Sequence, residues 1–305
     1  MPTGRFAPSP TGPLHVGNLR TALVAWLFAR SAGAPFLVRI EDLDRVASRE
    51  EHVQAHLDDL AALGIDWDGE AVRQSDRFDR YNAAIGRLAD EGLLYPCYCT
   101  RREVHDAASA PHGPVAEGAY PGTCRDLTAA GRAAREGSGR RPAWRVRAGG
   151  ACVEVVDRLR GRFAAVVDDF VVRRGDGAPA YQVAVVVDDH DQGVGEVVRG
   201  DDLLDTTPRQ VWLAHRLGLA VPAYAHVPLV LGPDGRRLAK RHGAVALADL
   251  RRRGLGPSVV VAAMAASLGL APDGASVRSA ADLLAGFDPG RLPEGPWRFD
   301  AGQLA

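Results

Sequence analysis

The sequence predicts an α/β fold around a parallel sheet, because strand-like and helix-like segments alternate at short spacing in its first hundred residues. A short apolar segment at 5–7 precedes a loop rich in proline and glycine, and apolar residues then recur at helical spacing from 16 to about 32. Gly33 ends that helix, and the run Phe-Leu-Val-Arg-Ile at 36–40 has the pattern of a buried strand. The same reasoning predicts two further helices, at about 48–63 and 76–92.

The middle of the chain departs from this alternation, and we interpret 96–142 as an insertion between sheet strands. It holds a cluster of cysteines and a segment at 107–118, rich in Ala, Pro, Gly and His, that is typical of a flexible loop. The patterns beyond it predict strands at 163–167 and 180–187, a helix at 208–217, an extended run at 226–231 and mostly helical structure after 243.

Composition limits the possible functions. The 305 residues have room for roughly two domains and a core that needs no disulfides. The formal net charge is −1, so a nucleic-acid partner would have to meet a local basic face. The N-terminus lacks the apolar core of a signal peptide, and no apolar run approaches about 18 residues. We therefore expect a cytoplasmic protein that makes no contact with a membrane.

The segment at 13–18 places a histidine and a glycine where a loop becomes a helix. Helix N-termini attract phosphate through their free N–H groups and partial positive charge. His15 could donate to a phosphate oxygen during nucleotidyl transfer, and Gly17 lets a flat adenine ring approach the backbone. A proline- and glycine-rich turn carrying one surface histidine would give the same segment.

A second, basic segment at 235–243 is bounded by glycines and lies more than 200 residues later. Transfer from a triphosphate needs mobile cations that tighten on the leaving pyrophosphate, and Lys240 on such a loop suits that task. A solvated basic surface loop is the alternative for this segment taken alone.

Together, the two segments resemble the signature motifs of class I aminoacyl-tRNA synthetases. His-Val-Gly-Asn at 15–18 is similar to the HIGH motif, and Arg-Leu-Ala-Lys-Arg at 237–241 is similar to the KMSKS motif. The strings Arg-Phe-Ala-Pro-Ser-Pro-Thr-Gly at 5–12 and Arg-Ile-Glu-Asp-Leu-Asp at 39–44 look like the glutamyl branch of that family. The resemblance spans about 4–245, and its departures from the motifs are Asn18, Arg237 and Ala239.

The resemblance implies a Rossmann-like catalytic domain at 1–95 and 143–235, an inserted zinc-binding subdomain at 96–142 and a motif-bearing helical region at 236–305. It also implies ATP binding with Mg²⁺, at Pro8, His15, Gly17, Asn18, Arg237 and Lys240. The reaction needs no protein nucleophile, because the substrate carboxylate attacks the α-phosphate itself. His15 and Lys240 are therefore assigned as stabilisers of the transition state.

Glutamate carries two carboxylates and an ammonium, so its site needs cations and an acidic group. Arg5 and Arg199 can supply the cations, Glu41 the acid and Tyr181 an orienting hydroxyl. The full set implied by the resemblance is Arg5, Phe6, Ala7, Pro8, Ser9, Glu41, Tyr181 and Arg199. Structural roles remain as alternatives: Arg199 paired with Asp201 or Asp202, and Glu41 paired with Arg39 or Arg45.

Three clustered cysteines, Cys97, Cys99 and Cys124, suggest a metal in a reducing compartment, because three thiolates and a fourth ligand suit tetrahedral zinc. Three buried thiols are the alternative. The resemblance implies one structural zinc with Tyr120 as the fourth ligand, although His105 or His112 could replace it chemically. The fourth cysteine, Cys152, is interpreted as a core residue.

The chain stops at residue 305, so we expect no anticodon-binding domain. The resemblance is then to the stand-alone form of the glutamyl branch. That form implies a monomer that activates L-glutamate without tRNA and transfers it to queuosine in the anticodon of tRNA(Asp).

Several other functions remain as alternatives. A truncated glutamyl-tRNA synthetase would charge a tRNA 3′ end, and another variant would donate glutamate to a carrier protein. A non-catalytic tRNA-binding regulator would not need the complete set of site residues. A dinucleotide-dependent oxidoreductase is disfavoured because no G-x-G-x-x-G follows the first strand.

Overall fold

The computed structural model describes residues 2–100, 102–104, 119–238, 242–243, 245–270 and 277–304. The strands are β1 Gly4–Phe6, β2 Phe36–Ile40, β3 Val72–Arg73, β4 Leu94–Cys97, β5 Ala143–Val146, β6 Cys152–Asp157, β7 Gly161–Val166, β8 Val171–Arg173, β9 Glu196–Gly200, β10 Ala223–Val227, β11 Val230–Leu231 and β12 Trp297–Arg298. The helices are α1 Val16–Ser31, α2 Glu50–Ala62, α3 Phe78–Asp90, α4 Ala129–Glu136, α5 Tyr181–Asp191, α6 Thr207–Leu217, α7 Leu247–Arg252 and α8 Pro257–Ser267. Short 3₁₀ helices lie at Gln74–Asp76, Asp201–Thr206, Ala280–Gly286, Pro289–Arg291 and Ala301–Gln303.

The central sheet is parallel over most of its width, which confirms the predicted fold class. β1 pairs with β2 and β2 with β3, and on the other side β9 pairs with β10 and β10 with β6, all in parallel. A parallel bridge between Thr3 and Val194 joins the two halves, and β7 adds an antiparallel edge to β6. The chain therefore leaves β1 towards one edge and continues from β9 towards the other, which forms a switch point where ligands bind in such sheets.

Helix α1 is the core of the first half, because it is apolar on nearly every side. Leu19, Leu23 and Leu27 are fully buried, and Trp26 is only 3% exposed. A helix with such a surface must be covered on both faces by other elements. After its C-cap, Gly33 turns with a φ of 66°, as the sequence predicted.

The predicted insertion contains the helix α4 and borders a small antiparallel sheet, in which β5 pairs with both β4 and β8. Strand β4 ends at Cys97, so it delivers the first cysteine of the cluster to the edge of this sheet. Buried Asp169 fastens the region to its surroundings, since it accepts hydrogen bonds from the Tyr95 hydroxyl at 2.7 Å and from the Arg125 side chain at 2.6 Å.

The last part of the chain packs onto α1. The guanidinium of Arg20, buried within α1, donates to the side-chain oxygen of Ser267 at 2.9 Å and to the Pro228 carbonyl at 3.1 Å. These bonds tie helix α8 and the end of β10 to the first helix. Arginine buried so fully is stable only when its donors are satisfied, and burial lowers the pKa of Arg20 to about 10.

Two sequence-based expectations are wrong. Residues 180–187 do not form a strand, because helix α5 begins at Tyr181. Its residues 183–189 are all buried, and its valines pack in one cluster with residues of β5, β8, α3 and α6, so a buried helical segment produced the continuous apolar run that also marks a buried strand. Cys152 is not a core residue, because it is exposed at the start of β6, where side chains alternate between the two faces of the sheet.

The other predicted helices and strands are present, with ends shifted by a few residues. Among the described residues, no helix combines the length and the apolar character that a membrane span requires. Lys240, His105 and His112, which the sequence analysis named as candidates, lie outside the described residues.

Candidate active site

A cleft of about 330 Å³ opens at the switch point of the sheet, at the carboxyl ends of β1, β2 and β9. The sequence-predicted residues that line it are Arg5, Phe6, Ala7, Ser9, His15, Gly17, Asn18, Glu41, Tyr181, Arg199 and Arg237. Pro8 lies just behind this wall, where its carbonyl accepts the Glu41 backbone N–H at 2.9 Å. Apart from Pro8, and from Lys240, which lies outside the described residues, the two sets proposed for ATP and for glutamate share one cavity.

His15 is the N-cap of α1, and its ring is oriented by the helix itself. Its Nδ1 accepts the Asn18 backbone N–H at 3.1 Å, while the Asn18 side-chain oxygen accepts the His15 backbone N–H at 3.1 Å. This reciprocal pair is a capping box. Because Nδ1 is an acceptor, the proton of the neutral ring is on Nε2, where it can be donated to a ligand.

Burial lowers the pKa of His15, although its own backbone opposes the shift, and the positive charge of Arg237 lowers it further. The ring is therefore neutral at neutral pH. Asn18, which departs from the family motif, completes this capping box with its side-chain oxygen. The structure thus provides a physical reason for asparagine at this position.

Gly17 lies directly beneath that imidazole. A Cβ at this position would come within 2.9 Å of the His15 ring and within 3.2 Å of the Val230 side chain. The position of the His15 ring therefore requires a glycine here.

Arg5 and Glu41 meet in the cleft with a buried group behind them that the sequence analysis missed. Arg5 Nε donates to Asp189 Oδ1 at 3.3 Å, and Arg39 Nη1 donates to the same oxygen at 2.8 Å. Arg39 also donates to Glu41 Oε1 at 3.4 Å, so the structural alternative proposed for Glu41 is correct as far as Arg39 is concerned. Glu41 lines the cleft as well, so the two functions coexist in one side chain.

The pKa values of the two neighbouring carboxyl groups, Glu41 and Asp189, shift in opposite directions. Burial raises the pKa of Glu41, even though the cations Arg39 and Arg5 oppose the shift. For Asp189, burial is outweighed by the same two arginines, which hold the pKa of its carboxyl below the usual range. Asp189 is therefore ionised at neutral pH.

Arg199 is held by neutral groups and not by the acids that follow it in sequence. Its guanidinium donates to His226 Nε2 at 3.0 Å, to Gln210 Oε1 at 2.8 Å and to the Thr207 hydroxyl at 2.8 Å. The alternative pairing with Asp201 or Asp202 is wrong. Those two carboxylates bind other arginines, Arg160 and Arg237 respectively.

Tyr181 is the first residue of α5, and it lines the cleft together with Arg5 and Arg199. Burial and the nearby Glu41 carboxylate raise the pKa of Tyr181, so its hydroxyl keeps a proton that can be donated. The residues behind the wall, Asp189 and His226, could not be identified from sequence, because each is more than 25 positions from the arginine that it holds.

The predicted cysteine cluster does assemble. The sulfur atoms of Cys97, Cys99 and Cys124 all lie within 4.8 Å of one another, and the Cys99 and Cys124 sulfurs are 3.5 Å apart. Zinc–sulfur bonds of about 2.3 Å at tetrahedral angles imply sulfur separations of roughly 3.8 Å, so this arrangement could hold a metal ion. Burial, with the Cys124 thiol, raises the pKa of Cys99 to about 12, so metal binding would have to displace its proton.

Tyr120 belongs to the same cluster. Its hydroxyl lies 3.4 Å from the Cys97 sulfur and accepts the Cys124 backbone N–H at 2.7 Å. The Arg145 guanidinium covers the Tyr120 ring at 3.7 Å from its centroid. Burial raises the pKa of Tyr120, so the phenol is neutral unless a metal replaces its proton.

A second cavity, of about 630 Å³, joins the cleft to this cluster. It shares Ser9, Glu41 and Tyr181 with the cleft, and its far end reaches Cys97 and Cys99. A molecule bound there would touch both the predicted glutamate site and the insertion.

Comparisons with known proteins agree with this geometry. A family model described as the catalytic domain of class I tRNA synthetases (E and Q) matches residues 3–305. A glutamyl-Q tRNA(Asp) synthetase of Nocardia farcinica is 62% identical over 294 residues, which cover 96% of this chain and 92% of that protein. The protein of the same name from Symbiobacterium thermophilum is 50% identical, with 100% of this chain and 98% of its own length covered.

A solved structure extends the similarity to the fold. The glutamate tRNA ligase of Elizabethkingia meningosepticum, crystallised with its amino acid, superposes with a TM-score of 0.83 at 27% identity. The match covers 99% of this chain and 68% of that one. The chain belongs to the class I tRNA synthetases of the glutamate and glutamine type.

Proposed function

We propose that this protein activates L-glutamate with ATP in the absence of tRNA and transfers the glutamyl group to the queuosine base of tRNA(Asp). One observation carries the proposal: Arg5, Arg199 and Glu41 line a single cleft together with the histidine-capped N-terminus of α1. Two relatives that match almost their full length are named for the same activity.

The activation step needs positioning and charge stabilisation. A carboxylate oxygen of glutamate attacks the α-phosphorus of ATP, the bond to pyrophosphate breaks, and glutamyl-adenylate forms. The Nε2 proton of His15 points to the phosphates as their charge develops, and Lys240 is assigned to the leaving pyrophosphate. Class I synthetases use ATP with Mg²⁺, which enters as part of the substrate.

Recognition of glutamate is assigned to the residues around β1, β2 and β9. Arg5 and Arg199 take the two carboxylates, while Glu41 takes the ammonium and Tyr181 orients the molecule. Glutamine would present a neutral amide where the second carboxylate is assigned, so one of the two arginines would lose a charge-assisted contact with the substrate, and the site selects against it.

The transfer step uses the second cavity. A hydroxyl of the queuosine cyclopentenediol attacks the carbonyl of the adenylate, an ester forms, AMP leaves, and the hydroxyl proton passes to solvent. Unstacked anticodon bases can enter such a cavity more readily than paired ones. Its contact with Ser9, Glu41 and Tyr181 brings an acceptor beside the activated carboxylate.

Two assays test the proposal. Pyrophosphate exchange into ATP should depend on glutamate and need no tRNA, and Lys240→Ala should reduce it strongly while the protein stays folded. Labelled glutamate should then attach to tRNA(Asp) that contains queuosine and not to the same tRNA with guanosine there. Nuclease digestion and mass spectrometry of the fragments would locate the ester in the anticodon loop.

A second candidate acceptor is the tRNA 3′ end, favoured by the superposition on a glutamate tRNA ligase. The same labelling assay separates the two. Label on the 3′-terminal adenosine of tRNA(Glu) would establish that acceptor, and exchange without any glutamate dependence would contradict both.

We further propose that Cys97, Cys99, Tyr120 and Cys124 hold one structural zinc ion. The sulfur spacing supports it, as does the 3.4 Å between the Tyr120 hydroxyl and the Cys97 sulfur. The zinc would fasten the insertion at 96–142 to the catalytic domain, formed by 1–95 and 143–235, with 236–305 as the third region. Metal analysis of the purified protein tests the ligand set.

We also propose that the protein acts as a monomer in the cytoplasm. Its proposed substrates, ATP and tRNA, are found there, and the cleft is built from one chain. Light scattering of the purified protein, with fractionation of expressing cells, tests both statements.

A further inference from the structure

A buried histidine lies directly behind Arg199. The side chains of His226 and Asp157 are completely buried, and His226 Nδ1 is 2.6 Å from Asp157 Oδ2. The opposite ring nitrogen, Nε2, accepts the Nε–H of Arg199 at 3.0 Å. The guanidinium predicted to bind glutamate is therefore the end of a buried chain that begins on β6, crosses β10 and ends on β9.

The hydrogen bonds determine which nitrogen of His226 carries the proton. Arginine Nε always bears a hydrogen, so the His226 Nε2 that faces it must be an acceptor. The proton is then on Nδ1, from which it is donated to Asp157. The Thr207 hydroxyl, 3.2 Å from the same Nε2, also binds Arg199, which adds a second contact between the two side chains.

A second proton on His226 would disrupt this arrangement. It would place an N–H and a positive charge against the N–H of Arg199, 3.0 Å away. The charged or titratable groups that face the ring are Asp157 on β6, Arg199 on β9, Asp201 in the following 3₁₀ helix and Tyr224, whose ring is stacked at 6.1 Å. Burial lowers the pKa of His226, and the charge of Arg199 adds to the shift although Asp157 opposes it.

We propose that neutral His226, oriented by Asp157, is a positioning residue that fixes the Arg199 guanidinium for a carboxylate of the amino-acid substrate. The inference rests on the proposed function, because it takes Arg199 to be a glutamate contact. Every nitrogen of that guanidinium donates to the protein, through His226, Gln210 and Thr207. Its orientation is therefore fixed before the substrate arrives, which removes an ordering cost from binding.

Two substitutions separate this function from simple packing. His226→Gln keeps an oxygen acceptor near the position of Nε2 and cannot be protonated, whereas His226→Leu fills the space and removes the acceptor. Calorimetry without ATP should show glutamate affinity reduced by about tenfold or more in His226→Leu and by less than about threefold in His226→Gln. The KM for ATP should stay unchanged, as should glutamate affinity in His215→Gln, which removes an exposed histidine on α6.

The pH dependence of glutamate affinity distinguishes the two possibilities, because a residue that only fills space would not change it. Wild-type affinity for glutamate should be constant above the ordinary titration range of histidine and fall on acidification below it. Glu41 and glutamate itself also titrate in acid, so part of the affinity loss on acidification is unrelated to His226. The decisive quantity is therefore the difference between the affinity loss of the wild type and that of His226→Gln. Nitrogen NMR of the folded protein should show a protonated Nδ1 and an unprotonated Nε2 at His226.

Three results would overturn the inference: unchanged affinity in His226→Leu, the same acid loss in wild type and His226→Gln, or the opposite tautomer in the NMR spectrum. A wild-type protein that binds no glutamate at any pH is a different outcome, since it would overturn the proposed function and this inference with it. If His226→Leu does not fold, His226→Gln and the tautomer still decide.

Discussion

Asp189 is the buried carboxylate that two arginines share behind the cleft, and replacing it with asparagine tests how much the site depends on its charge. Its side chain is 8% exposed and lies 2.8 Å from Arg39 Nη1 and 3.3 Å from Arg5 Nε. Asparagine has nearly the same shape, so Asp189→Asn removes the negative charge without creating a cavity.

The size of the effect follows from what each arginine retains. Breaking a buried ion pair costs about 3–5 kcal/mol when one charge is left without a partner. Arg39 would still have Asp188 at 3.7 Å and Glu41 at 3.4 Å, which places the cost at the low end. At about 2 °C for each kcal/mol in a chain of this size, the unfolding midpoint should fall by about 6 °C. Arg5 would still donate to the Val198 carbonyl at 3.4 Å. Its side chain would be less firmly positioned without the charge of Asp189, so glutamate binding should weaken.

Thermal unfolding and calorimetric binding of glutamate measure these two effects. The matched control is Asp191→Asn on the same helix, because Asp191 binds Arg77 and Arg80 at a more exposed position, 23% accessible. A pair of that kind is worth about 1 kcal/mol or less. The reasoning is refuted if the two variants lose equal stability, or if Asp189→Asn binds glutamate as the wild type does.

The pH dependence of this effect has a definite sign. Burial would raise the pKa of Asp189, but Arg39 and Arg5 hold it below its usual range. Its contribution to stability is thus present above the unfolded-state pKa and is lost as the pH falls through the folded-state pKa. The difference in stability between wild type and Asp189→Asn should therefore shrink on acidification, as unfolding curves in a pH series would show.

Three further substitutions have expected outcomes. Gly17→Ala places a Cβ 2.9 Å from the capping imidazole and should slow pyrophosphate exchange more than it changes the KM for glutamate, whereas Gly12→Ala, with nothing within 4 Å, should have no effect. Asn18→Ala removes half of the capping box, so unfolding should cost about 1 kcal/mol less by denaturant titration. For the proposed zinc site, Cys124→Ser should reduce the metal content per chain and its resistance to chelators, whereas Cys152→Ser, at an exposed site, should leave both unchanged.

The residues that line the cleft could largely be predicted from sequence, because they lie in short segments of distinctive composition. The strand, loop and helix from Arg5 to Gly17 were predicted as such, and the structure confirms that order. Similarly, the proximity of Cys97, Cys99 and Cys124 in sequence predicted a cluster, and the three sulfur atoms do lie together in the structure. In both cases the interacting groups are close in sequence or of a rare chemical type.

The buried residues behind the cleft wall could not be predicted in this way. Arg199 was expected to pair with a neighbouring acid if it was structural, yet its partners come from α6 and β10. Only the tertiary arrangement of the strands brings His226 beneath it. A polar residue that works through another side chain carries no local pattern, because its partner is set by the packing of distant elements.

The incorrect prediction of a strand at 180–187 also concealed the contacts of Asp189 with Arg5 and Arg39. Tyr181, which lines the cleft, is eight positions before Asp189, which holds Arg5 and Arg39 behind it. As a strand that stretch would span about 26 Å, at about 3.3 Å per residue, and the two side chains could not serve one site. As a helix it spans about 12 Å, at 1.5 Å per residue, and both of its ends lie close to Arg5. Because residues 183–189 of α5 are all buried, apolar side chains are needed at successive positions, and the sequence there lacks the alternation of apolar and polar residues that marks an amphipathic helix.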